Sequence, residues 1–209
     1  MMKSMAAANP TSSTRDRLLL AAVHLFAERG YGRTTMGDIE ESAGFTRRGG
    51  AVYHHFPSKA AVLGAALDEF TQTVADIGGL GKLLPLPDRQ SEVLLLAKWL
   101  LGELDRQRDL VRLLEKEGDH LADVRNRLSG DLVDAGYRWT ADYGRSALGD
   151  REDLDVEALA VVLVGGLVNY RRTQWTFGRP PLALSEERLV AAVTTIVSLV
   201  LQAGHPETA

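Results

Sequence analysis

Two arginines, Arg47 and Arg48, follow Thr46, and a few residues later come Tyr53, His54, His55 and Lys59. A guanidinium fork matches the two major-groove acceptors of guanine, so the arginines are suited to reading base edges. The hydroxyls of Thr46 and Tyr53, the two imidazoles and the Lys59 ammonium offer donors to phosphate oxygens, contacts that position a protein on a duplex without reading its sequence. This is the chemistry of a nucleic-acid surface. A metal site at His54 and His55 is the weaker reading, because helix neighbours point about 100° apart and no Cys or carboxylate stands beside them at ligand spacing.

Such side chains need elements to present them. Thr35 is a good N-cap, and Met36, Ile39 and Ala43 recur at the spacing of a short amphipathic helix. Gly44 suits the left-handed conformation that ends a helix, Phe45 can drop into a core, and Thr46 offers a second N-cap oxygen. The spacing predicts helix, glycine turn, helix. In a helix-turn-helix the second helix enters the major groove with its N-terminal residues on base edges.

The stretches LLLAAVHLFAERGYGRTTMGDIEESAGFT and GAVYHHFPSKAAVLGAAL resemble the tetracycline-repressor (TetR) family of bacterial transcription regulators over roughly the first third of the chain. The resemblance implies phosphate contacts from Thr35, Tyr53, His54 and Lys59, and base contacts from the start of the helix at Thr46. One departure is visible. The family advances five residues from the Ser/Thr opening that helix to its Tyr, whereas Thr46 to Tyr53 advances seven, with Arg47, Arg48, Gly49 and Gly50 in the expanded part. Each of the paired glycines lowers helix propensity by about 1 kcal/mol relative to alanine.

Charge is distributed unevenly. The chain of 209 residues carries a formal net charge of −4, yet residues 1–60 hold eight Lys/Arg against five Asp/Glu. That is a basic head on an acidic body. Cysteine is absent, which excludes disulfides and thiolate metal sites and is compatible with a reducing cytoplasm. Residues 1–12 lack the apolar run of a signal peptide and read as a flexible tail. The apolar stretch from Leu189 to Leu201 is shorter than the about 20 residues a membrane span requires. A cytoplasmic protein that does not enter a membrane is expected.

Periodicity predicts an all-α chain of about nine helices. A first helix from Ser13 or Thr14 to about Arg29 completes a three-helix DNA-binding head over 13–60. Ser58 caps a helix starting at Lys59, and residues 61–209 form a ligand-binding and dimerisation bundle. Within it, helices are expected from Ser91 to about Arg106, from Asp109 to about Gly118 and from about Leu121 towards Ala147. Two more follow, from Asp155 to about Phe177 and from Ser185 onwards.

The last two carry ALAVVLVGGLVNY and RLVAAVTTIVSLVL, more apolar surface than one face of a small monomer needs. We read them as a four-helix homodimer seam through Val162, Gly165, Gly166, Ala192, Val193, Ile196, Val197 and Val200, an arrangement the resemblance also implies; intrachain core is the alternative. A two-fold dimer suits a palindromic operator on double-stranded DNA.

Trp99, Tyr137, Trp139, Tyr143, Tyr170 and Trp175, with Glu103, Asn169 and Gln174, could line a largely apolar pocket for a small-molecule effector. Singly these aromatics read as core; as a set they read as a pocket because the resembling family has one there. Glu115, Asp119, His120 and Asp123 have helical spacings that could gather a metal, but Gly118 interrupts them, and no phosphate loop, nucleophile elbow or His-Glu-x-x-His is present. No enzyme, cofactor or metal is expected. The leading reading is a ligand-responsive dimeric repressor. A regulator controlled by a protein partner is the second, and a metal-dependent enzyme the remote third.

Overall fold

The computed structural model describes residues 13–75, 84–117, 133–149 and 153–203. Among them are eight α-helices, one 3-10 turn and no strand: α1 (Thr14–Arg29), α2 (Met36–Ser42), α3 (Lys59–Ala75), α4 (Arg89–Arg106), α5 (Arg108–Glu117), α6 (Asp134–Leu148), α7 (Val156–Phe177), the 3-10 turn Pro181–Ala183, and α8 (Glu186–Ala203). The chain divides into two compact units. The head contains α1, α2, α5 and most of α3; the body contains α4, α6, α7 and α8. The sequence reading divided the chain near residue 60 and so grouped α5 and most of α3 with the body.

In the head, α1 starts at a reciprocal capping box between Ser13 and Asp16, and its inner stripe buries Leu18, Leu19, Ala22, Leu25 and Phe26. A second box, Thr35 with Asp38, opens α2. The end of α2 follows the Schellman pattern. The Gly44 N–H donates to Glu41 O at 3.1 Å and the Phe45 N–H to Glu40 O at 2.8 Å, with Gly44 in the left-handed region at φ +82°. α1 holds that end in place: Arg17 Nη2 donates to Ala43 O at 2.6 Å while its guanidinium lies 4.7 Å from the Phe45 ring centroid. α5 packs on α1 through Leu110 and Leu113, with Asp109 2.9 Å from the ring of His24. Asp109, expected to cap α5, lies inside its first turn.

The body is a helical bundle around Ala97, Leu101, Leu167, Tyr170 and Val190. Asp88 caps α4 (Ser91 N to Oδ1, 2.7 Å) and Asp155 caps α7 (Ala158 N to Oδ1, 2.9 Å). The Ser185 hydroxyl accepts from Arg188 N at the start of α8. Arg171 is buried in the bundle, and a buried charge must be paired. It reaches Glu186 at 2.6 Å, Asp105 at 3.0 Å and the carbonyl of Leu101 at 3.5 Å.

Candidate nucleic-acid interface and internal pocket

The helix expected from Thr46 is absent, and a run of turns and bends spans 47–55 in its place. Gly49 N–H donates to Thr46 O at 2.9 Å, Tyr53 N–H to Gly50 O at 3.1 Å and His55 N–H to Val52 O at 3.1 Å, all i to i+3 bonds. The physical reason lies in the expanded part. Arg48 adopts φ 62° and Gly50 φ 82°, and a right-handed helix cannot pass through left-handed residues. A side chain on Gly49 would bring its Cβ to 2.8 Å from Thr46 O, so the turn also needs glycine there.

Although not helical, the segment is anchored. Val52 and Phe56 are buried, and Val52 N–H donates to the carboxylate of Glu40 at 3.1 Å, itself only 1% exposed. Glu40 thus ties α2 to the segment that follows it. The peptide between these anchors exposes Thr46, Arg47, Arg48, Tyr53, His54 and His55.

The basic groups differ in how free they are. Arg47 is bound to its own head, 2.8 Å from Asp38 Oδ1 and 3.3 Å from Glu41 Oε2. Arg48 makes no hydrogen bond or ion pair among the described residues. The Lys59 ammonium donates to the carbonyls of Tyr31 at 2.7 Å and Thr34 at 2.9 Å, and lies 4.4 Å from the Tyr31 ring centroid. It therefore closes the loop between α1 and α2. Thr35 is occupied by its capping box, and the bonds from its hydroxyl and N–H hold the Asp38 carboxyl below the usual carboxylate range despite some opposing burial.

In the body, helices α4, α6, α7 and α8 line a half-open apolar cavity of about 170 Å³. Trp99, Trp139 and Tyr143 line it, with Trp139 stacked on Tyr143 at 5.8 Å between ring centroids. The Tyr143 hydroxyl donates to Glu92, a carboxylate with no exposed side-chain surface that also accepts from Arg89 at 2.8 Å and from Leu86 N–H at 2.7 Å. Burial alone would raise the Glu92 pKa, but the three donors outweigh it and hold the group below its ordinary value. Tyr143 is pushed up to about 12 by burial and by that carboxylate.

Residues 18–66 match the family described as bacterial regulatory proteins, tetR family. Over these residues the chain is similar to that family. The head is 47% identical over 60 residues to the HTH-type transcriptional regulator TtgR of Pseudomonas putida, covering 29% of this chain and 28% of that protein. It is 44% identical over 59 residues to the HTH-type transcriptional repressor KstR2 of Mycolicibacterium smegmatis, 28% of each. The match thus spans little more than a quarter of the curated relatives' length. A TetR-family regulator from Mesorhizobium loti shares the fold over 91% of this chain and 96% of its own, with a TM-score of 0.65 at 21% identity. These relatives are named as transcriptional regulators or repressors.

Six of the nine side chains expected to line an effector pocket do not line this cavity. Tyr170 is buried with its hydroxyl on Leu184 O at 2.8 Å, and Glu103 is bound to Arg106 and Gln107. Gln174 accepts from Arg171 at 3.0 Å, Trp175 donates to Asp105 at 3.4 Å, Asn169 is exposed, and Tyr137 is half-buried off the cavity wall. Aliphatic residues take their place, Leu163, Val164 and Leu167 among them. Three residues assigned to the dimer seam, Val193, Val197 and Val200, also line the cavity, because on α8 they fall on the face that packs inward. Val162, Gly166, Ala192 and Ile196 are exposed and Gly165 is partly so.

Of the proposed metal cluster, Asp119, His120 and Asp123 lie outside the described residues. No group of three potential ligands occurs among those described. Nor is any described helix long and apolar enough to cross a membrane.

Proposed function

We propose that this protein is a cytoplasmic transcriptional repressor that binds a palindromic operator as a homodimer and is released by a small, largely apolar molecule. The observation that carries the reading is the anchored segment 46–55. Buried Val52 and Phe56 hold both the backbone and its neighbours, while Arg47, Arg48, Tyr53, His54 and His55 remain at the surface. Thr46 and Tyr53 supply phosphate contacts and Arg48 the free guanidinium for a base edge.

The exposed apolar residues Val162 and Ile196, with Gly166 and Ala192 on the same two helices, support association through α7 and α8. Two heads then address two half-sites. Release requires that the effector bind the operator-free state more tightly, since equal affinity for both states shifts nothing.

Selection of bound duplexes from a random DNA pool, followed by sequencing, tests the core of this proposal. A two-fold symmetric consensus upholds a dimeric sequence-specific regulator. Recovery of unenriched sequences at every salt concentration would sink it.

A further inference from the structure

The body's cavity has a chemical character that narrows what it can hold. Among the described residues, no Lys, Arg, His, Asp or Glu lines it. Its polar side chains are few and mostly engaged: Thr140 donates to Gly136 O at 3.0 Å, and Tyr143 donates to Glu92. The indole N–H groups of Trp99 and Trp139 make no hydrogen bond among the described residues. Moving a charge from water into such a site is costly unless a partner charge or a full set of hydrogen bonds meets it. Glu92 and Arg89, 2.8 Å apart beyond Tyr143, already neutralise each other, so this arginine is not left over for an anionic ligand.

Size and shape narrow the class further. The volume of about 170 Å³ is of the order of the apolar cavity of about 150 Å³ that stays dry and takes up benzene. The stacked planes of Trp139 and Tyr143, 9° apart, give the largely aliphatic wall a flat aromatic face. Flat rings gain from offset stacking there beyond the area they bury.

We infer that this cavity takes an uncharged, apolar molecule of one or two rings and rejects carboxylates, long-chain ones included. The inference rests on reading the cavity as the effector site. Gly136 offers a way to close it. This residue lines the cavity from α6, and a Cβ there would meet no atom within 4 Å. Gly136→Leu therefore fills space without a clash at Cβ and improves helix propensity.

The test uses the full chain with three probes: naphthalene, 2-naphthoate and dodecanoate. Thermal unfolding and tryptophan fluorescence report binding, and retention on the selected operator is measured separately. Naphthalene should raise Tm by about 3–5 °C at about ten times its Kd and alter the tryptophan emission. The two carboxylates should need at least about a hundredfold higher concentration, the factor that about 2.7 kcal/mol of discrimination provides. Gly136→Leu should keep wild-type helicity and lose the naphthalene response; Leu163→Trp fills the same cavity from α7 if the first variant does not fold.

A carboxylate binding as tightly as naphthalene overturns the inference, as does the absence of stabilisation by any probe or an undiminished response in both filled variants. Naphthalene binding that leaves operator retention unchanged upholds the ligand class and overturns the effector reading instead.

Discussion

Lys59 shows how one side chain can serve the head before it meets any DNA. Its ammonium caps the carbonyls of Tyr31 and Thr34, and hydrogen bonds from a charged donor contribute more than neutral ones. Lys59→Ala should lower the stability of the head by about 1–3 kcal/mol and weaken binding alike on all DNA sequences, read by thermal melts and by titration of two unrelated duplexes. Affinity loss at unchanged stability would restrict Lys59 to a phosphate contact. Arg48 makes the opposite case. With no internal partner, it should be replaceable at no cost to folding. Arg48→Ala should relax base preference at one operator position by about 1–3 kcal/mol, and a uniform loss across sequences would reassign it to the phosphate backbone.

Two titrations set pH limits. Asp38 has a folded pKa below its unfolded value, so its contribution is present above about pH 3.9 and fades as pH falls through the depressed value. Asp38→Asn should flatten the acid limb of the head's stability profile, as followed by chemical denaturation between pH 2 and 5. Tyr143 is displaced the other way, to about 12, so its contribution is whole below about pH 10 and is lost as pH rises through 12. Tyr143→Phe should remove that alkaline loss from the body. An identical alkaline profile in the variant would sever Tyr143 from Glu92.

Among elements, most helix starts were legible, those at Asp88 and Arg108 excepted, and the turn was not. Ser13, Thr35, Ser58, Asp155 and Ser185 all cap as their positions suggest, because a cap is a bond between a side chain and backbone two or three residues away. Nothing beyond the local sequence is needed to find one. The segment after Thr46 broke the rule because its conformation depends on Arg48 entering the left-handed region, which arginine rarely does and its type does not announce. The link from Glu40 to Val52 was hidden for a different reason: it is a contact between elements, without a local signature.

The pocket divided in the same way. Trp99, Trp139 and Tyr143 stood out as large amphipathic side chains, whereas Leu163 and Val164 are indistinguishable by type from ordinary core. Gly49→Ala offers the sharpest test at this scale, since the new Cβ must displace the Thr46 carbonyl. It should alter or abolish operator selection while leaving the body's unfolding unchanged. Unaltered selection would mean that the turn does not shape the DNA-facing surface.

At the scale of the whole molecule, the exposed apolar residues of α7 and α8 carry the proposed seam. Val162 is 70% exposed and Ile196 46%, so a charge at either position disturbs little inside the chain. Val162→Arg or Ile196→Arg should therefore yield a folded monomer with operator affinity reduced by orders of magnitude, as measured by sedimentation and DNA titration. A dimer that survives both changes would place the association elsewhere.

α8 presents Val193, Val197 and Val200 to the cavity and Ala192, Ile196 and Leu199 away from it. The two rows interleave along one rigid rod, only one or a few residues apart in the chain. If the proposed seam and effector site hold, a lineage that adapts this helix to a new effector changes its seam within a few codons of its pocket. Variants selected solely for altered ligand response should include some whose subunit exchange rate has shifted, and compensating changes should accumulate on the outward row.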